Sequence, residues 1–146
     1  MNFKKKYIKF NKSIDFNFIS DVISWGNYRS RISSRHLNDY VLESIFQIKN
    51  INNVFNDLLT KLNREYNKQN RESDLDIFYS MVAGTKSNTH KDSYEVYIIG
   101  GKGRTLYKIG NKEYIVEPGD LLHIPSNVLH TAIGLDPRII ISYGIY

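Results

Sequence analysis

The spacing of apolar residues changes character near residue 73, and this change constrains the fold more than any other feature of the chain. Ahead of it, INNVFNDLLTKLNREYNKQN sets Ile51, Val54, Phe55, Leu58, Leu59, Leu62 and Tyr66 at three- and four-residue intervals. That stripe predicts an amphipathic helix over about 51–68, covering one face of the core. A shorter helix is expected around FNFISDVISW, with Phe16, Ile19, Val22 and Ile23 turned inward, while NDYVLESIFQI reads as either helix or strand. After the polar connector NRESD the pattern shortens. LDIFYSMVAG, YEVYIIGG, RTLYKIGN, KEYIVEPG, DLLHIPSN and RIIISYGIY are brief runs rich in Ile, Val and Tyr, bounded by Gly, Pro or Asn. A series of this kind folds as a compact all-β sandwich or barrel. Gly110-Asn111 in IGNKEY marks a hairpin, because both residues tolerate positive φ. EPGDLL marks a turn at Pro118-Gly119, with Asp120 opening the next strand.

At 146 residues the chain fits one domain with one core. The expected organisation is an N-terminal helical extension, residues 1–72, packed on a β-barrel core, residues 73–146. With no cysteine there is no disulfide framework and no thiolate site, so a transition metal here would need imidazole and carboxylate. The start MNFKKKYIKF is basic but lacks the apolar run of a signal peptide, and no stretch has the length to span a bilayer. A cytoplasmic protein with no membrane partner is the expectation. The net charge of +5 owes much to Lys4, Lys5, Lys6, Lys9 and Lys12, a tail-like cluster, while the other cations are interspersed with acids. This distribution argues against a nucleic-acid partner.

Two of the four histidines fall in suggestive places: His90 opens HKDSYE and His130 closes GDLLHIPSNVLH. The segment from Gly84 to His130 resembles the cupin superfamily, whose fold is a small double-stranded β-helix, or jelly roll. The second cupin motif, G-x5-P-x-G-x2-H-x3-N, is matched by Gly119, Pro125 and His130, with Asn127 in place of the second glycine. Asn is the next residue most tolerant of a left-handed conformation. The closing asparagine is replaced by Gly134. The first motif, G-x5-H-x-H-x3or4-E-x6-G, fits in two ways. If His90 is its second histidine, Asn88 replaces the first and the ligand set implied is His90, Glu95 and His130. If His90 is the first, Asp92 follows it, and His90, Asp92 and His130 look like the facial triad of jumonji-type Fe(II) and 2-oxoglutarate dependent oxygenases. On a strand His90 and Asp92 point to the same side, whereas Glu95 differs in parity and needs a bulge to return, so Asp92 is favoured.

Two histidines and a carboxylate suit non-haem Fe(II), leaving open positions, although Mn, Ni and Zn accept the same donors. The resemblance implies 2-oxoglutarate as cosubstrate, a hydroxylation of a small or peptidic substrate, and a homodimer. It also implies a cation for the distal carboxylate. Arg138, on the strand after His130 with Ser142 on the same face, is the first candidate, since arginine holds a carboxylate bidentately. Arg104 is the second, beside Thr105, which stands where jumonji-type hydroxylases commonly carry a lysine. Two other activities stay open: a ligand-binding or sensor cupin without catalysis, and a metal-dependent isomerase or dioxygenase that uses Glu95 without 2-oxoglutarate. His36 and His123 read as surface or core residues, with His123 on a parity that can face the barrel. Gly100, Gly101 and Gly103 lack the GK[ST] ending of a phosphate loop and read as a tight β-turn. Tyr79, Tyr94, Tyr97 and Tyr107 read mainly as packing.

Overall fold

The computed structural model of the chain describes residues 2–26, 28–34 and 44–146. His36 and the first part of NDYVLESIFQI lie outside the described residues. In chain order the elements are β1 (Phe3–Lys4), α1 (Phe16–Gly26), β2 (Ser30–Ser34), β3 (Ile45–Ile48), α2 (Asn56–Tyr66), β4 (Ser73–Ser80), β5 (Glu95–Lys102), β6 (Thr105–Ile109), β7 (Lys112–Val116), β8 (Leu121–Ile124), β9 (His130–Gly134) and β10 (Arg138–Ile145). They form a seven-stranded sheet in the order β1-β8-β5-β10-β4-β3-β2 and a three-stranded sheet in the order β7-β6-β9. Every described pairing is antiparallel. The architecture is mainly β, the jelly roll of the cupin fold with two helices.

Strand alternation gives the large sheet two covered faces. Leu75, Ile77, Tyr97, Ile99, Ile139, Ile141 and Tyr143 pack against the helical side, with Phe18, Ile19, Val22, Ile51, Phe55, Leu58 and Leu62. Val96, Ile98, Leu122, Ile124 and Ile140 point the other way, to meet Tyr107, Ile109, Val116 and Ala132 of the small sheet. The second interior is the barrel, and its residues line a cavity. Residues before 73 supply more than helices, because β1 pairs with β8 while β3 pairs with β4 and β2 with β3.

Both helices differ in detail from the sequence expectation. The helix expected from residue 51 begins at Asn56, because the Ile51 N–H donates to Leu75 O at 2.7 Å and ties this stretch to β4 instead. Ile51 and Phe55 are nonetheless buried in the same apolar stripe as Leu58 and Leu62. In α1 the Asp15 carboxylate accepts the Phe18 N–H at 2.9 Å, capping the helix. Phe18, Ile19 and Val22 form its buried face, and Ile23 is turned outward. The lysine cluster is not a free tail: Lys5 Nζ lies 2.5 Å from the buried Asp120 carboxylate, and Ile8 N–H donates to Gly119 O.

The turns follow their residues. Gly110 joins β6 to β7 at φ 57°, while Asn111 keeps the ordinary sign. The expected turn at Gly100-Gly101 is instead continuous strand, and the chain reverses at Gly103. A Cβ on Gly100 would lie 2.1 Å from Glu117 O, so the glycine serves close packing of β5 against the 117–118 turn.

Candidate metal centre

Residues 84–90 run antiparallel along β9 and extend the small sheet. Gly84 N–H donates to Gly134 O at 2.8 Å and Ser87 N–H to Ala132 O at 2.9 Å, while His90 and His130 exchange both backbone hydrogen bonds at 3.1 and 2.8 Å. Directly opposed residues project to one face. The register therefore brings two histidines forty positions apart into contact, with ring centroids 4.3 Å apart. On the neighbouring pair, Thr89 and Thr131 share a hydroxyl hydrogen bond of 2.6 Å, which helps to fix that register.

Each imidazole is aimed by its own backbone. His90 Nδ1 lies 2.7 Å from Asn88 O and His130 Nδ1 lies 3.0 Å from Val128 O. A carbonyl only accepts, so each Nδ1 carries the proton and each Nε2 presents a lone pair, the tautomer a metal ligand requires. Burial, with the neighbouring His90, holds His130 below its ordinary pKa and favours the neutral ring. Asp92 completes the group: its Oδ2 is 3.6 Å from His130 Nε2 and 3.9 Å from His90 Nε2. These separations are too wide for hydrogen bonds. Ligand bonds of about 2.1 Å at right angles put donor atoms about 3 Å apart, close to the arrangement here. Among the described residues this is the one cluster of such donors with ligand atoms within 4.8 Å of one another.

Asn127 braces the Asp92 backbone. It takes φ 62°, the left-handed conformation expected where cupins have glycine, and its N–H donates to Asp92 O at 2.6 Å. Glu95 is carried elsewhere by strand parity. Its Oε2 is 3.3 Å from His123 Nε2 on the other face of the large sheet, where His123 stacks on Tyr97 with centroids 4.4 Å apart. His123 thus faces away from the barrel and the histidine pair.

His90, Asp92 and His130 line a cavity of about 520 Å³ together with Arg138, Ser142, Tyr107, Tyr94 and Tyr146. Val96, Ile98, Ala132 and Ile140 form its apolar walls. Arg138 is 2% exposed; its Nε donates to Ser80 Oγ at 3.2 Å while its Nη1 has no hydrogen-bond partner. Burial pushes this guanidinium below its ordinary pKa. Thr105 is also fully buried on the inward face of β6, and its hydroxyl is unpartnered too. Buried orphan donors of this kind are costly and call for a ligand. Arg104 points outward into a bidentate pair with Asp136, at 2.9 and 3.1 Å. Farther along the cavity wall, Asp76 accepts from Gln47 Nε2 and Asn50 N–H, and Asp74 accepts from Tyr146 Oη–H. Asp74 and Asp76 escaped the sequence reading because nothing in DLDIF separates a cavity carboxylate from a solvated one.

Residues 77–137 match the family described as Cupin domain. The double-stranded β-helix with its histidine-lined interior agrees with that match. Among solved structures, the chain is similar to YcfD, a ribosomal oxygenase from Escherichia coli. In complex with cobalt and succinic acid, YcfD superposes with a TM-score of 0.80 at 23% identity, covering 99% of this chain and 47% of that one. Its complex with cobalt and 2-oxoglutarate gives 0.76 with the same identity and coverage. The chain spans about half the length of the YcfD chain, and the likeness is one of fold. No curated protein sequence matches the chain. Among the described residues no helix is long and apolar enough to cross a membrane.

Proposed function

We propose that His90, Asp92 and His130 hold a divalent metal, Fe(II) in the working protein, and that the chain acts as a 2-oxoglutarate dependent oxygenase on a small or peptidic substrate. The observation that carries this reading is the pairing of two features in one cavity: three convergent donors, and a buried Arg138 guanidinium with an unpartnered N–H. The donor set suits the group. Two nitrogens and one oxygen, without sulfur, occupy one side of an ion and leave positions for a chelating cosubstrate. When bound, iron supplies the redox chemistry that couples decarboxylation of 2-oxoglutarate to oxidation of a substrate C–H bond.

The residues of the chain have separate tasks. The Asn88 and Val128 carbonyls keep the His90 and His130 protons on Nδ1, and Asn127 holds the Asp92 backbone. Arg138 takes the distal carboxylate of the cosubstrate, with the Thr105 hydroxyl as a second donor. Val96, Ile98, Ala132 and Ile140 exclude water and strengthen that charge pairing. Ser142 also lines the cavity, and the substrate enters from the side of Tyr94, Tyr146, Asp74 and Asp76. A peptidic substrate is in keeping with the ribosomal oxygenase that shares the fold. The test is succinate formation from 2-oxoglutarate under air with Fe(II), with or without a coupled substrate. Fe(II)-dependent succinate that is lost in Asp92→Ala and retained in Glu95→Ala is the expected result. Ligand binding with no consumption of oxygen or 2-oxoglutarate would make the chain a sensor cupin instead.

A further inference from the structure

The departure from the cupin pattern at Gly134 has a physical counterpart in the barrel. A Cβ at this position would lie 3.1 Å from Arg138 Nε and 3.1 Å from Thr85 Oγ1, so the space of a side chain is already filled by the guanidinium and a hydroxyl. Arg138 is held there from the opposite side. Ser80 Oγ, fully buried at the end of β4, accepts from Arg138 Nε at 3.2 Å and from Thr85 Oγ1 at 2.8 Å. Two donors on one hydroxyl oxygen use both of its lone pairs. Thr85 is fixed in turn, since its carbonyl accepts the Gly134 N–H at 2.8 Å. Thr105 lies directly opposite Gly134 in the β6–β9 register. Ser80, Thr85, Gly134 and Arg138 thus close one buried unit, and two buried atoms, Arg138 Nη1 within it and Thr105 Oγ1 across the strand register, have no hydrogen-bond partner.

We infer that Ser80, Thr85 and Gly134 are positioning residues that set the selectivity of the cavity for a 2-oxo acid with a second carboxylate. The inference rests on the cosubstrate reading above and goes beyond it, because it assigns the aim of Arg138 to three residues that touch neither metal nor cosubstrate. A guanidinium is a planar fork whose bidentate bonding depends on orientation. Nε is spent on Ser80, which leaves the Nη edge as the face offered to a ligand. Without the Ser80–Thr85 brace the fork is free to rotate, and with a methyl at 134 it shifts by a few tenths of an ångström. Either change weakens the grip on the distal carboxylate and leaves the metal end intact.

The experiment is anaerobic calorimetry of the Mn(II)-loaded full chain with 2-oxoglutarate and with 2-oxopentanoate, which lacks the second carboxylate. Wild type is compared with Thr85→Val, Thr85→Ser and Gly134→Ala. The expected result is a preference for 2-oxoglutarate in wild type that falls about tenfold in Thr85→Val and Gly134→Ala, through lost 2-oxoglutarate affinity alone, and returns in Thr85→Ser. Affinities for Mn(II) and 2-oxopentanoate stay as in wild type. Unchanged selectivity in Thr85→Val and Gly134→Ala, or equal weakening of both oxo acids, overturns the inference while the cosubstrate reading stands. A wild type that does not prefer 2-oxoglutarate overturns the cosubstrate reading first, and this inference with it.

Discussion

Two histidine–carboxylate groups stand on opposite sides of the seven-stranded sheet, and their difference shows what makes a site. On the helical side, His123 and Glu95 meet at 3.3 Å, and the imidazole lies flat on Tyr97, itself stacked on Tyr66. On the barrel side, His90 and His130 turn their Nε2 atoms toward Asp92 in an open cavity, with both Nδ1 atoms occupied by carbonyls. Composition is nearly the same in the two groups. Only the second has donors that converge, lone pairs fixed in direction, and space beside them for a ligand. Histidine and carboxylate in proximity make only a contact, and backbone aiming gives the barrel group the donor geometry that a metal centre needs.

The sharpest way to break this contrast is to remove one carboxylate from each side. Asp92→Ala is expected to weaken Mn(II) or Fe(II) binding at least a hundredfold, and Glu95→Ala to leave it within about twofold, as read by metal titration. Next in size is Arg138→Gln. It should lower 2-oxoglutarate affinity on the order of a hundredfold without changing metal affinity, since hydrogen bonds to a charged group contribute about 1.5–3 kcal/mol each. A smaller effect is expected at Asn127, whose left-handed backbone braces Asp92. Asn127→Val should cost about 1–2 kcal/mol in urea unfolding and loosen the metal, while Asn127→Gly keeps both near wild type.

The smallest effect separates the helical side from the barrel. Burial holds His123 below its ordinary pKa, against the pull of Glu95. A ring that resists protonation in the fold stabilises the protein above about pH 6.5, and this contribution is lost as pH falls from there through the folded pKa. Urea unfolding of metal-free His123→Phe should therefore lose less stability between about pH 7 and 5 than wild type. Metal affinity at pH 7 should be unchanged.

Much of this was legible in the sequence because strand parity and turn chemistry are local. The short apolar runs marked β4 to β8 and β10, Asn127 announced its left-handed turn, and His90 and His130 stood out as a pair on the two motifs. Tertiary bonds decided the rest. HTAIG was not read as a strand, since His130 and Thr131 dilute its apolar pattern, yet β9 is the strand that brings His130 to His90. The start of α2 was set by hydrogen bonds that tie Ile51 and Asn52 to Leu75 of β4, which no helical periodicity reports. Arg138 and Arg104 stood along the chain as first and second candidates for one role. Their separation into a buried donor and an exposed pair with Asp136 came from the face each strand turns to the barrel. Ser80 and Thr85 gave no signal, because a hydroxyl that aims an arginine is indistinguishable in sequence from one that bonds water.

The measurement that bears most directly on the central claim is anaerobic titration of the protein with Fe(II) and then 2-oxoglutarate, repeated with Asp92→Ala. The account predicts one Fe(II) per chain, followed by 2-oxoglutarate binding that requires both the metal and Asp92. Binding of 2-oxoglutarate that is indifferent to Asp92, or no uptake of Fe(II) by the wild-type chain, would contradict it.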